Sequence, residues 1–429
     1  MSEWVERPLA ELAAIRISNV DKKSLPNEQA VRLCNYMDVY AGTYLDDGVE
    51  YMEATATVRE IGNFALQAGD VVITKDSESP DDIGIPALIE TTSGGLVCGY
   101  HLAMLRPDRK KVDPLFLLKQ IETDSVRRFY SKRAAGSTRY ALATGTIAAT
   151  PIKVPPIEDQ AIIARILRAL DTQIEATEGL IAKQERVRAG LMQDLFTRGV
   201  DEHGQLRPPR HQAPHLYHQT ELGWLPVGWE VIQLQNVADV QRGRFGARPR
   251  NDPRFYGGEF PFIQTGDVSN ASGRRILAHS QTLNRLGLAT SRMFPAGAIA
   301  VTIAANIGDA AMLSYPMCAP DSVVGVVPFQ MTDSYFLQLA IGSKKVWLER
   351  RAPQTAQKNI NLEDLRPLKI EYPGSEERLE IAKIIAKATS SVEKLEIELG
   401  KLRLKKTGLM QDLLTGKVSV APLLESLPA

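Results

Sequence analysis

Between residues 388 and 413 apolar side chains recur at alternating spacings of four and three: Ala388, Val392, Leu395, Leu399, Leu402, Leu409 and Leu413, with Lys406 as the polar interruption. This is the heptad seam of a helix packed lengthwise against another. A matching seam lies upstream in Leu170, Ile174, Thr177, Ile181, Gln184, Arg188, Leu191 and Leu195, a constant offset of 218 residues (413 − 195). The first seam is more polar, but Leu167, Leu180 and Val187 lie off it and widen the apolar stripe. About 38 residues at ~1.5 Å each predict two rods of roughly 57 Å. Two rods in one chain can cover each other's seams, because the internal partner has the higher effective concentration; pairing between chains is the alternative.

The same offset governs identity as well as spacing. Ile163-Ala164-Arg165-Ile166 returns as Ile381-Ala382-Lys383-Ile384, and Gly190-Leu191-Met192-Gln193-Asp194-Leu195 returns as Gly408-Leu409-Met410-Gln411-Asp412-Leu413. Such constancy marks two uninterrupted copies of one element, since a loop inside it would drift in length. Antiparallel pairing of the two rods would relate the halves by a pseudo-twofold axis.

Ahead of each rod the pattern changes. Short apolar stretches such as Val71-Val72-Ile73-Thr74 and Pro86-Ala87-Leu88-Ile89, punctuated by Gly and Pro, predict strands and turns. One helix is predicted over 114–130, after Asp113 as N-cap with proline in the first turn. Trp4 to Leu9 is similar to Trp229 to Leu234, and Leu66 to Val72 to Phe294 to Ala300, at offsets of 225 and 228 (229 − 4; 294 − 66). The heads have therefore diverged in length while the rods stayed in step. The expected fold class is α/β: two mixed, β-rich heads separated by two long antiparallel coiled-coil helices as an internal repeat. The expected division is 1–155, head; 156–198, helix; 199–220, linker; 221–375, head; 376–416, helix; and 417–429, tail.

Composition adds limits. With 429 residues and 44% apolar residues the chain is long enough for two to four globular cores. Formal net charge is zero, yet 242–292 holds nine arginines against Asp252, Glu259 and Asp267, and 106–139 holds ten Lys or Arg against four acids. Both halves thus carry a basic segment, which suits nucleic acid better than the overall charge does. Cys34, Cys98 and Cys318 are far apart and odd in number, which fits buried thiols in a cytoplasmic protein. No run reaches the ~18 apolar residues of a membrane span. Four of the six histidines fall in 199–220, which has Pro208, Pro209 and Pro214 and is expected to be a polar, solvent-exposed connection with no bound metal.

Catalytic patterns are missing: there is no phosphate loop, no His-Glu-x-x-His and no Gly-x-Ser-x-Gly, so no catalytic residue and no cofactor is assigned. Recognition chemistry remains. Two divergent heads on a rigid spacer would read two different surfaces a fixed distance apart, with DNA the natural candidate; a protein-interaction scaffold is the alternative.

At Val154-Pro155-Pro156-Ile157-Glu158-Asp159-Gln160, at the helix ending Gly190 to Phe196, and at Pro261-Phe262-Ile263-Gln264-Thr265-Gly266-Asp267-Val268, the chain resembles the specificity subunit of type I restriction–modification enzymes. Gly136-Ser137-Thr138 and the paired Trp4 and Trp229 support the likeness. Arg32 to Val39 is a weaker version of the Phe262 to Val268 motif, and Ala352 to Lys358 stands where the first head has Gly136 to Tyr140. The resemblance implies a non-catalytic subunit that binds double-stranded DNA at two unlike half-sites. It also implies recruitment of two methyltransferase and two restriction subunits, with S-adenosylmethionine, ATP and Mg belonging to those partners. On this basis the candidate DNA contacts are Arg133, Arg139, Tyr140, Arg242, Arg244, Gln264, Asn270, Arg274, Arg275 and Lys358, and the candidate subunit interface is Leu167, Leu180 and Val187.

Overall fold

The computed structural model describes residues 4–352, 359–420 and 422. The chain divides into two units, Met1–Gly179 with Ile397–Ala429, and Leu180–Glu396. The division cuts both long helices, Ile157–Arg198 and Ser375–Leu413. Each unit therefore holds one head, the start of the helix that follows it and the end of the other helix.

In the first unit the apolar runs become the centre of a five-stranded sheet ordered Ala13–Ile17, Leu102–Pro107, Val71–Thr74, Pro86–Ile89, Tyr44–Leu45. The first four strands pair antiparallel and the last joins in parallel. Val71–Thr74 and Pro86–Ile89 are buried at every position, as a strand covered on both faces requires. A three-stranded sheet, Met52–Ala56, Gln29–Cys34, Leu96–Cys98, forms a second layer. Val5–Pro8 pairs with Pro151–Val154, which brings the start of the head to its end immediately before the long helix.

The second unit repeats this plan. Its five-stranded sheet runs Ala238–Arg242, Val323–Pro328, Ile299–Thr302, Ala310–Leu313, Arg275–Ile276, again with a parallel last strand. Glu230–Gln233 pairs with Lys369–Tyr372 as the closing ribbon. The second layer gains a strand: Gln281–Leu283, Tyr256–Phe262, Met317–Ala319, Arg292–Phe294.

The two helices run antiparallel, as each unit shows by itself. In the first, Ile162, Ile163 and Leu167 near the start of one helix share a core with Leu413 and Leu414 at the end of the other. In the second, Ile381 and Ile385 share a core with Leu195 and Phe196. All sixteen heptad positions are buried or half-buried, including the polar Thr177, Gln184, Arg188 and Lys406. The helix ends are keyed to tryptophan. Trp229 donates its indole N–H to Glu377 at 3.0 Å; Trp4 lies so close to Gly416, at φ +74°, that a Cβ there would stand 2.6 Å from the ring nitrogen.

Three features differ from the pattern-based expectation. Leu167 is fully buried in the head core, so it offers nothing to a partner subunit; off the seam, its side of the helix faces its own head. The helix expected over 114–130 is two helices, Pro114–Ile121 and Asp124–Ser131, because Thr123 takes an extended N-cap conformation and its hydroxyl turns back to the Gln120 carbonyl at 2.6 Å. The second head breaks at the same place, between Ser334–Ser343 and Lys345–Arg351. The 199–220 connection, though mostly exposed, is fastened at several points: Arg207 forks onto Glu377, the Val200 N–H donates to the same carboxylate at 2.8 Å, and Tyr217–Thr220 forms a hairpin with Gly223–Pro226.

Candidate nucleic-acid interface

Folding spends much of each basic segment internally. Arg106 makes two bonds to the buried Asp70 carboxylate (2.8 and 2.7 Å), Arg109 donates to the Ala68 carbonyl, and Lys119 is buried against Glu122 and Asp171. Arg127, Arg128, Lys132, Arg133 and Arg139 stay exposed. Arg133 lies over the Phe129 ring at 3.9 Å.

Arg139 and Tyr140 sit on a hairpin, Ala135–Gly136 with Tyr140–Ala141. Gly136 has φ +149°, and a Cβ there would fall 1.9 Å from the Arg139 carbonyl, so the loop that carries Arg139 requires glycine. Tyr140 pairs with Ser77, and Ser77 lies beside Tyr36 on the short helix Tyr36–Ala41. Tyr36 and Tyr40, one helical turn apart, stack at 5.6 Å with planes 16° apart. The Asp82 carboxylate, hydrogen bonded to Tyr40, pushes that phenol above its ordinary range. The hairpin, two stacked phenols and exposed arginines thus form one loop cluster, with Asp81 and Asp82 at its edge.

The second head places a different set on the same frame. Gln264 follows the strand Tyr256–Phe262 and caps the helix Thr265–Asn270, its N–H donating to Asp267 at 2.8 Å; Asn35 follows the equivalent strand of the first head, Gln29–Cys34, and its N–H donates to Asp38 at 2.7 Å. The two motifs that look so unequal in sequence therefore build one device, a strand end locked by a capping box. Gln264 donates to Gln281 at 3.0 Å, and both line a cavity of about 610 Å³ with Phe245, Arg250, Tyr256 and Phe262. Arg250 pairs with Asp321 at 2.6 Å, Arg242 donates to the Asp321 carbonyl at 2.6 Å, and Arg244 reaches the Ser291 carbonyl. Asn270 and Arg275 are exposed at the helix end and on the edge strand. Lys358 lies outside the described residues.

Arg274 goes elsewhere. Its guanidinium forks onto Glu396 of the second long helix at 2.6 and 2.9 Å, so its charge fastens the head to the helix. Arg274 in turn holds the Glu396 carboxyl below its ordinary range, against a smaller opposing effect of burial. A depressed carboxylate stabilises the fold fully above the unfolded value near pH ~4 and loses that contribution as pH falls through the folded value. Arg274→Ala should therefore remove part of the acid-side slope in thermal melts of the whole chain, modestly because the pair is partly exposed. An unchanged slope would show that the fork carries no stability.

Asn35 and Tyr36 lie in the Arg32 to Val39 motif but are not among the candidate contacts read from the sequence, and neither are Tyr40 and Gln281. The tyrosines carried a weak signal in their i, i+4 spacing; Gln281 had none, since only the fold brings it beside Gln264. Among the described residues no group of three or more His, Cys, Asp or Glu is placed to hold a metal ion, and no described helix is long and apolar enough to cross a membrane. The three cysteines are free and buried.

One head built twice, with unlike exposed arginine, tyrosine and carboxamide loops on a common frame, defines a duplicated recognition protein. The chain belongs to the type I restriction–modification DNA specificity family, whose domain model matches residues 1–186 and 226–405. The putative type I restriction enzyme MjaX specificity subunit of Methanocaldococcus jannaschii is 25% identical over 366 residues, covering 84% of this chain and 81% of that protein. The MjaVIII specificity subunit of the same organism is 24% identical over 212 residues, 49% of this chain and 44% of that protein. The crystal structure of a type I restriction–modification S subunit from M. genitalium shares the fold at TM-score 0.62 and 15% identity, with 96% of each chain covered. A chain from a structure describing complex assembly and conformational transition of the type I R-M system gives 0.51 at 16% identity, covering 96% of this chain and 97% of that one.

Proposed function

We propose that each head reads one half of a bipartite, asymmetric duplex target, and that the chain recruits two methyltransferase and two restriction subunits. In this account S-adenosylmethionine, ATP and Mg belong to those partners. The observation that carries the reading is the unequal filling of equal frames: Asn35, Tyr36 and Tyr40 in one head stand where the other has Gln264 and its cavity. Different side chains on one scaffold are what two different half-sites require. Exposed Arg133, Arg139, Arg242, Arg244 and Arg275 supply phosphate register, while carboxamides and Tyr140 face base edges. Leu180 and Val187, each 48% exposed on the first long helix, form part of the methyltransferase contact.

Gln264 and Gln281 act together. Side by side, the two carboxamides offer an amide donor next to a carbonyl acceptor, the complement of the N6 amino group and N7 of adenine in the major groove. Gln281→Ala should relax preference at one adenine position by about 1–3 kcal/mol and leave the other half-site alone. Equal preference at every position in the variant would remove Gln281 from the reading set.

The function is tested by binding. Assembled with its methyltransferase subunits, the protein should bind a target duplex with an affinity that falls linearly in log–log form with salt, each phosphate contact adding about −0.9 to the slope. Salt-insensitive binding, or equal affinity for any duplex, would refute it.

A further inference from the structure

Lys406, the polar break in the second seam, belongs to a buried charge cluster in the first unit. Lys119 of the head is completely buried, with its ammonium 2.8 Å from Glu122 and 2.6 Å from Asp171 of the first long helix. Asp171 also meets Lys406 of the second long helix at 2.6 Å and accepts from the Tyr44 hydroxyl at 2.5 Å. Arg168 lies over the Tyr44 ring at 3.5 Å and pairs with Glu90 at 3.1 Å. One carboxylate thus ties together the head's edge strand, its core helix and both long helices.

The second unit builds the same seat without this cluster. Aligning Phe116 with Phe336 places Leu339 at the position of Lys119, and the 218-residue offset places Thr389 at that of Asp171 (389 − 171). Both are buried. At these two positions the seat therefore folds with neutral side chains, while the offset places Arg188 opposite Lys406 (406 − 188) and keeps a cation there; a buried ion cluster is seldom more stable than a well-packed apolar replacement. What charges add is angular selectivity: a methyl–methyl contact tolerates sliding, whereas a carboxylate shared by two ammonium groups and a phenol loses most of its energy when any of the four elements shifts by an ångström or two.

We propose that Lys119, Asp171 and Lys406 are positioning residues that lock the first head at one angle on the paired helices, so that the cluster sets how strictly the distance between the two DNA half-sites is enforced. This rests on the bipartite reading above. The Lys119→Leu/Asp171→Thr variant installs the second unit's residues and leaves Lys406 and Glu122, 4.0 Å apart, to pair with each other.

The test is to coexpress wild type and variant with the methyltransferase subunit and map methylated adenines. Expected is an unchanged pair of half-sites, with methylation at spacers one base pair longer or shorter rising relative to the native spacer by on the order of tenfold. Lys406→Met alone, which leaves Asp171 paired with Lys119, should give a smaller rise, and it decides the matter if the double variant does not fold. A folded variant with wild-type spacer discrimination, or with methylation lost equally at all spacers, overturns the lock. If wild type itself methylates no bipartite motif, the DNA-reading account fails instead, and the lock with it.

Discussion

Replacing residues 1–155 with the corresponding head of a relative is expected to change one half of the methylated motif completely and leave the other half and the spacer as they were. The closing ribbon, Val5–Pro8 with Pro151–Val154, returns the chain to its starting point just before the long helix, so the exchange cuts the fold where the head begins and ends. Its five-stranded sheet and second layer are complete within that segment. Specific sites are preferred over non-specific DNA by roughly 10³–10⁷-fold, so the original half-site should fall to background. Leu9, Phe116 and Tyr130 share one core with Ile162 and Leu167, and the donor head must match these or the chimaera will be unstable before it is inactive. Methylation mapping of the chimaera checks the outcome; change in both halves would show that the heads do not read independently.

Asp171→Thr alone is expected to be among the most damaging single changes in the protein. It strands Lys119, fully buried, with Glu122 as its remaining carboxylate, and leaves Lys406 without its 2.6 Å partner. Burial acts to raise the Asp171 carboxyl, but Lys119 and Lys406 outweigh it and hold the group below its ordinary range. Breaking such a pair from one side costs about 3–5 kcal/mol. Adding Lys119→Leu should recover most of the loss, because the pair then disappears from both sides. Denaturant unfolding of the single and double variants measures the coupling, and equal stability of the two would mean that Lys119 and Asp171 do not depend on each other.

The rods were legible because a heptad pattern states both an element and the face it buries, and every seam position is indeed at least half-buried. The heads were legible as strands through runs such as Val71–Thr74, but not as a sheet order, which depends on pairings such as Tyr44–Leu45 with Pro86–Ile89 that no local pattern encodes. Charge was the least legible. Arg274 and Arg275 are neighbours in sequence, yet one forks onto Glu396 and the other faces solvent, since side chains along a strand alternate sides. Lys406 interrupted an apolar seam for a reason held 235 residues away (406 − 171), in Asp171. Leu167 reads as a surface apolar residue when the seam alone is counted as the buried side of the helix, but the head covers a second side.

The most direct test of the account is single-molecule mapping of methylated adenines on DNA from cells that express this chain with a type I methyltransferase subunit. The expected result is one bipartite motif, two unlike half-sites separated by a fixed run of unspecified bases, present only when both proteins are made. Methylation that needs only the methyltransferase subunit, or a motif with a single uninterrupted half, would contradict it.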